Sequence, residues 1–197
     1  MAPDSLPDPI RVAIDIVAKF ERLDIPYLAV GSLASSLHGA PRSTDDIDFV
    51  VSLDPVLAQR LVAALSPEYY VSEAAAREAA AAPRGGTFNA IHLPTAVKVD
   101  LFVAGDDRFD AERLRRRGRV RLSADHAAEL FVDTAEYTVL RKLEWYRRGG
   151  EVSERQWSDV VAVLRAQGAR LDRSAMDQWA QRLGISDLLQ RVRLEVG

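Results

Sequence analysis

The sequence predicts an α/β (α+β) fold with a C-terminal helical segment, and three observations carry that expectation. Short apolar runs with strand character alternate with helix-patterned segments up to about residue 132. From Asp133 onward the pattern is helical alone. Between these, "RSTDDIDFVV" (42–51) sets three carboxylates at the mouth of an apolar strand. The expected organisation is a flexible lead-in over 1–9, an α/β core over 10–132 and a helical bundle over 133–197 packed on it.

The elements follow in order. Three prolines among the first nine residues read as an extended lead-in. "PIRVAIDIVAKFERLDI" then carries Ile10, Ala13, Ile14, Val17, Phe20 and Leu23 at helical spacing. "IPYLAV" reads as a strand, and "LASSLHGAP" as a short helix closed by Gly39 with Pro41 beyond. "DIDFVVSL" is the next strand. Asp54 caps the following helix with Pro55 at its first position. "EAAAREAAAA" is helical and stops at "PRGG". "TFNAIHL" and "AVKVDLFV" read as a hairpin around a Leu-Pro-Thr break. "DDRFDAERLRRRG" is a helix or turn, and "RVRL" and "ELFV" are short strands. Beyond them, Asp133 with Glu136 and Ser153 with Gln156 have capping-box spacing. Gly149, Gly150, Gly168 and Gly184 mark helix ends, and three tryptophans read as core anchors.

Composition narrows the function classes. The chain has 197 residues, a net charge of −3 and 48% hydrophobic content, in the ordinary globular range. Cysteine is absent, which excludes disulfides, thiolate metal sites and a cysteine nucleophile, and fits a cytoplasmic location. No apolar run approaches the ~18 residues of a membrane span, and no signal peptide is expected.

The acidic stretch raises a chemical question. Alternate strand residues share a face, so Asp46 and Asp48 project together while Ile47 points into the core. Two unpaired carboxylates this close repel and raise each other's pKa. A hard divalent cation such as Mg²⁺ or Mn²⁺ removes the repulsion and prefers oxygen ligands. Asp100 stands mid-strand in "AVKVDLFV", where a charge is otherwise costly, and shares a face with Lys98. If the two strands are neighbours, the three acids can converge. Strand-edge solubility explains the same residues taken singly, and Asp45 reads as a turn or cap residue. Upstream, Gly31 and Ser32 stand between a strand and a helix. A plain turn accounts for them; so does a phosphate held on a helix N-terminus. Arg42 either positions a phosphate or caps the turn by pairing with Asp45 or Asp46. His38, after a short apolar helix, reads as a packing or capping residue rather than a catalytic one.

Together "GSLASSLHGAPRSTDDIDFVV" and "VKVDLF" resemble the nucleotidyltransferase fold of the DNA polymerase β-like superfamily. The fuller pattern, Gly-Ser, His-Gly and Arg-x-Thr-x-Asp-Ile-Asp, is similar to the bacterial AbiEii-like group, whose members include toxins of toxin–antitoxin pairs. Lys142 and Leu143 on one later helix, with Arg155 and Asp159 on the next, extend the likeness, which spans about residues 28–165. Gln156 and Trp157 depart from the charged pair common in related sequences. The resemblance implies that Asp46, Asp48 and Asp100 are catalytic metal ligands. It further implies that Gly31, Ser32, Arg42, Lys142 and Asp159 contact a nucleoside triphosphate, Lys142 as a catalytic point charge. The implied reaction is in-line transfer of a nucleoside monophosphate from an NTP to an RNA or protein hydroxyl, with loss of pyrophosphate. An antitoxin protein is the implied partner if the toxin role holds.

Six arginines between Arg113 and Arg121 form a candidate RNA-phosphate patch, or a solvated helix and turn with local ion pairs. Two other functions are compatible with the same residues. One is a catalytically inactive nucleotide- or partner-binding module on this fold. The other is a glycosyltransferase using Asp-x-Asp, disfavoured by the Gly-Ser turn directly upstream.

Overall fold

A computed structural model describes residues 6–41, 43–123 and 126–197; of Ser123, His126, Ala127 and Ala128 the backbone alone is described. The described chain falls into two compact units. One comprises residues up to Ser32 together with Thr44–Val132, and the other Leu33–Ser43 with Asp133–Gly197.

The first unit is built on a seven-stranded mixed sheet. In chain order its elements are α1 (Asp8–Arg22), β1 (Tyr27–Ala29), the first residues of α2 (Gly31–His38), β2 (Asp46–Val51) and α3 (Pro55–Leu65). There follow β3 (Tyr69–Val71), α4 (Glu73–Ala81), β4 (Thr87–His92), β5 (Lys98–Val103), α5 (Arg108–Arg116), β6 (Gly118–Ser123) and β7 (His126–Val132). The strand order is β3-β4-β5-β2-β1-β7-β6. β4 and β5 form the expected antiparallel hairpin, and β5 runs parallel to β2.

Local chemistry explains the boundaries. Helix α1 begins at Asp8, so residues 8 and 9 are helical rather than part of a lead-in; Pro9 in the first turn needs no backbone donor there. Asp54 accepts the Leu57 amide as N-cap of α3, and Ser72 accepts that of Ala75 for α4. Strand β3 was not expected. Its Tyr-Tyr-Val run is the β-type signal, and tertiary contacts hold it: the buried Tyr69 hydroxyl donates to Asp15 at 2.6 Å, and Lys19 reaches the same carboxylate at 2.6 Å. Burial pushes the Tyr69 phenol up. Burial also raises Asp15, but hydrogen bonds from Lys19 and Tyr69 outweigh it and hold its carboxyl below the ordinary value.

Period two sorts the central strands. Ile47, Phe49 and Val51 are fully buried, and Phe20 of α1 meets Phe49 edge-on at 5.2 Å between ring centres and Tyr27 at 5.3 Å. On the other face Leu28, Val30 and Val50 pack with Phe102, Ala104 and Leu114. Asp46 and Asp48 precede Val50 on that second face.

The second unit is helical. It holds α2 from Leu33, then α6 (Ala135–Arg148), α7 (Glu154–Gln167), α8 (Arg173–Leu183) and α9 (Ser186–Val196). Ser153 caps α7 by accepting the Gln156 amide, and Gly184 ends α8 in the left-handed conformation. Asp133 does not cap α6 as its spacing predicts: Thr134 takes that position, and Asp133 is buried. Its carbonyl instead accepts from His38 Nε2 at 2.6 Å, which gives His38 the packing role. Gly39 lets α2 approach α7 closely, since a Cβ there would lie 2.9 Å from the Val163 backbone nitrogen. Of the tryptophans, Trp157 meets Tyr146 at 5.2 Å with the rings tilted by 43°, and Trp179 meets Tyr137 at 6.5 Å. Trp145 is no core anchor: it is 46% exposed, with Arg148 over its ring.

Candidate active site

The β2–β5 pairing brings the acids together. Its register sets Asp46 opposite Lys98 and Asp48 opposite Asp100. Parallel neighbours in register present the same face, so four charged side chains line two adjacent strands. Asp46 is exposed; Asp48, Lys98 and Asp100 are half-buried. Asp45 lies in the bend before the strand, and Thr44 donates its hydroxyl to the Asp46 carbonyl at 2.8 Å.

Gly31 closes one side. The Val30 amide donates to the Asp48 carbonyl at 2.9 Å, pinning the end of β1 to the acidic strand. Gly31 follows at φ +62°, and a Cβ there would fall 2.0 Å from Asp48 Oδ2. Only glycine permits both that conformation and that approach. Ser32, half-buried, is the second residue of α2, in the turn that offers amide donors to an anion.

Lys98 is the residue that sequence reasoning left without a role. Its ammonium lies 2.8 Å from Asp100 Oδ2. The hydrogen bond to Asp100, then the charges of Asp100, Asp46 and Asp48, raise the Lys98 pKa above its ordinary value against a smaller opposing effect of burial. A lysine two residues before an acid on an otherwise apolar strand was the available signal.

The donor chemistry suits a hard divalent cation: three carboxylates on neighbouring strands, one of them cradled by glycine backbone. The expected three-acid cluster is nevertheless not closed. Among the described residues no group of three or more His, Cys, Asp or Glu side chains stands close enough to hold an ion.

Lys142 and Asp159 meet in the second unit. Lys142 Nζ donates to Asp159 Oδ2 at 2.9 Å, with both side chains nearly buried. The buried Ser35 of α2 also reaches that oxygen, at 3.5 Å. Asp159 and Lys142 are thus joined as an ion pair. Arg42 lies outside the described residues.

Ion pairs and ring contacts engage the arginine segment, although Arg115, Arg119 and Arg121 stay more than half exposed. Arg113 is 2% exposed and paired with Asp110 at 2.6 Å. Glu112 holds Arg115 and Arg116, at 2.7 and 2.6 Å. Hydrogen bonding from Arg115 foremost, and from Arg116, brings the Glu112 carboxyl down to about 2 against a rise from burial. Arg117 and Arg119 lie over the Phe131 ring at 4.3 and 4.6 Å, and Arg119 and Arg121 approach Glu129. Helix spacing explains the outcome: residues three and four apart meet, so the acids of "DAERLRR" find the arginines behind them.

No family model matches the chain, and no curated protein does. Solved structures do match. The solution structure of the antibiotic-resistance factor ANT(2'')-Ia aligns at TM-score 0.56 and 13% identity, over 96% of this chain and 97% of that one. The crystal structure of ANT(2'')-Ia in complex with adenylyl-2''-tobramycin reaches 0.58 at 14% identity, over 88% and 97%. The lincosamide antibiotic adenylyltransferase LnuA, lincomycin-bound, aligns at 0.52 and 14% identity, over 80% and 96%. An antigenic nucleotidyltransferase-like protein from Paracoccidioides brasiliensis aligns at 0.54 and 16%, over 93% and 91%. At such identities the likeness establishes the fold, a nucleotidyltransferase-type mixed sheet flanked by helices.

Proposed function

We propose that this chain, which has the nucleotidyltransferase fold, is a metal-dependent nucleotidyltransferase. It transfers a nucleoside monophosphate from an NTP to an acceptor hydroxyl and releases pyrophosphate. One observation carries the reading: Asp46 and Asp48 stand in register with Lys98 and Asp100 on parallel strands, beside a glycine whose missing Cβ leaves room for the Asp48 carboxylate. A structural turn does not need the matched acids.

In this reading Asp46, Asp48 and Asp100 hold Mg²⁺ or Mn²⁺. When bound, the cation neutralises phosphate charge and stabilises the attacking and leaving oxygens. The Gly31 and Ser32 turn places amide donors at the phosphates. Asp100 is the base for the acceptor hydroxyl: its oxygen takes the proton as the acceptor oxygen bonds to the α-phosphorus and the bond to pyrophosphate breaks. Lys142, oriented by Asp159, is assigned the triphosphate on the strength of its sequence motif, as is Arg42.

The acceptor is the finer question. RNA or protein acceptors, and a toxin role with an antitoxin partner in the cytoplasm, follow from the AbiEii-like motif. A small hydroxylated acceptor is the second choice, favoured by the antibiotics bound in the ANT(2'')-Ia and LnuA structures. A catalytically inactive nucleotide- or partner-binding module draws on the unclosed acid cluster.

Each α-labelled NTP is incubated with the protein, Mg²⁺ or Mn²⁺, and in turn total RNA, cell protein and a panel of hydroxylated small molecules. The expected result is label transfer to one acceptor class, lost by at least a hundredfold in Asp46→Asn and Asp48→Asn with unchanged circular dichroism. Nucleotide binding without transfer to any class defeats the catalytic reading.

A further inference from the structure

We propose that Lys98 is the resident counter-cation of the carboxylate cluster and competes with the divalent cation for Asp100. The inference rests on the reading of Asp46, Asp48 and Asp100 as the metal site. Lys98 starts the same strand face as Asp100, stands opposite Asp46 in the parallel register, and bonds Asp100 Oδ2 at 2.8 Å. Three acids on adjacent strands with no cation among them would repel one another, and a lysine between them relieves that before any metal arrives.

The side-chain chemistry suits a temporary occupant. The Lys98 side chain is 41% exposed, so its ammonium has open water to move into, whereas Asp100 at 20% is the more enclosed partner. An ammonium is a point charge on a flexible four-carbon stem and makes one bond here. A guanidinium would grip the carboxylate with two and release it less readily. The same ion pair accounts for a cluster whose ligands are in register yet not closed around a metal position. Metal entry then requires Asp100 to exchange one cation for another, and Lys98 sets the concentration at which this happens.

The test is Mn²⁺ binding to the full chain, followed by electron paramagnetic resonance of free Mn²⁺. It compares wild type, Lys98→Met, Lys98→Gln, Lys98→Arg and Asp100→Asn, and the double variant carrying Lys98→Met with Asp100→Asn. Both neutral variants should bind Mn²⁺ about 1.4- to fivefold more tightly, the range for releasing one partly exposed ion pair. Two such variants guard against a folding defect in either. Lys98→Arg should bind no more tightly than wild type. The gain from methionine should vanish in the Asp100→Asn background, because the two residues act on one another. Unchanged or weaker binding in both neutral variants overturns the inference while the metal site stands, and so does a gain that persists without Asp100. Absence of Mn²⁺ binding in wild type and in both neutral variants overturns the inference and the metal-dependent reading together.

Discussion

Gly31 shows how far one residue can be read. In the sequence it marks a turn between strand and helix, and a phosphate site is one of two explanations. In the fold its missing Cβ is space taken by the Asp48 carboxylate, 2.0 Å from where that atom would stand, at φ +62°. Gly31→Ala thus combines a left-handed conformation, costing about 1–2 kcal/mol for a residue with a Cβ, with displacement of Asp48. The expected outcome is a chain less stable by about 1–3 kcal/mol in urea unfolding, with loss of Mn²⁺ binding in the surviving folded fraction. A variant of wild-type stability and affinity would show that the close approach is not kept in solution. Lys98 is the contrary case. Its position beside Asp100 was plain from strand alternation, but its importance came from seeing Asp46 and Asp48 on the neighbouring strand.

Among elements, the pair α6 and α7 carries the second part of the sequence motif. Leu140 and Leu143 from α6, with Val160, Val163 and Leu164 from α7, are buried, and such apolar faces fix which turns of two helices meet. That packing sets Lys142 beside Asp159, at 2.9 Å. Because both side chains are nearly buried, removing one leaves a poorly solvated charge behind. In a double-mutant cycle, Lys142→Met and Asp159→Asn should each destabilise by about 1–3 kcal/mol. The double variant should recover about 1 kcal/mol or more of their sum, as read by urea unfolding at neutral pH. Strict additivity would mean that the pair is solvated and that Asp159 does not orient Lys142. Sequence spacing failed at the start of α6, at Asp133. Thr134 takes the N-cap position instead, and Asp133 is buried with its carbonyl accepting from His38.

Over the whole molecule the charge distribution separates two regions that look alike as strings of letters. The acidic residues at 46, 48 and 100 come together on one sheet face from distant parts of the chain. The arginines from 113 to 121 are divided among Asp110, Glu112, Glu129 and the ring of Phe131. A single-stranded RNA bound through six free arginines would weaken with salt at a slope of about −4 in log K against log concentration. For this chain the expected slope is shallower than about −2, in filter-binding titrations of labelled RNA between low and moderate salt. A slope near the steeper value would show that the ion pairs open to receive phosphate. Among the described residues no helix is long and apolar enough to cross a membrane.

The α/β front, the helical back, most caps and the shared faces of Asp46 with Asp48 and of Lys98 with Asp100 were all determined by the sequence alone. Each depends on residues one to four positions apart, where backbone periodicity and capping chemistry act without help from the rest of the chain. Tertiary structure decided what distance along the chain conceals. It set β5 beside β2 across roughly fifty intervening residues, drew β3 into the edge of the sheet through Asp15, buried Arg113 and left Trp145 exposed. Which strands become neighbours, and which side of a helix is covered, depends on the total apolar surface the fold can remove from water, and no local pattern contains that sum.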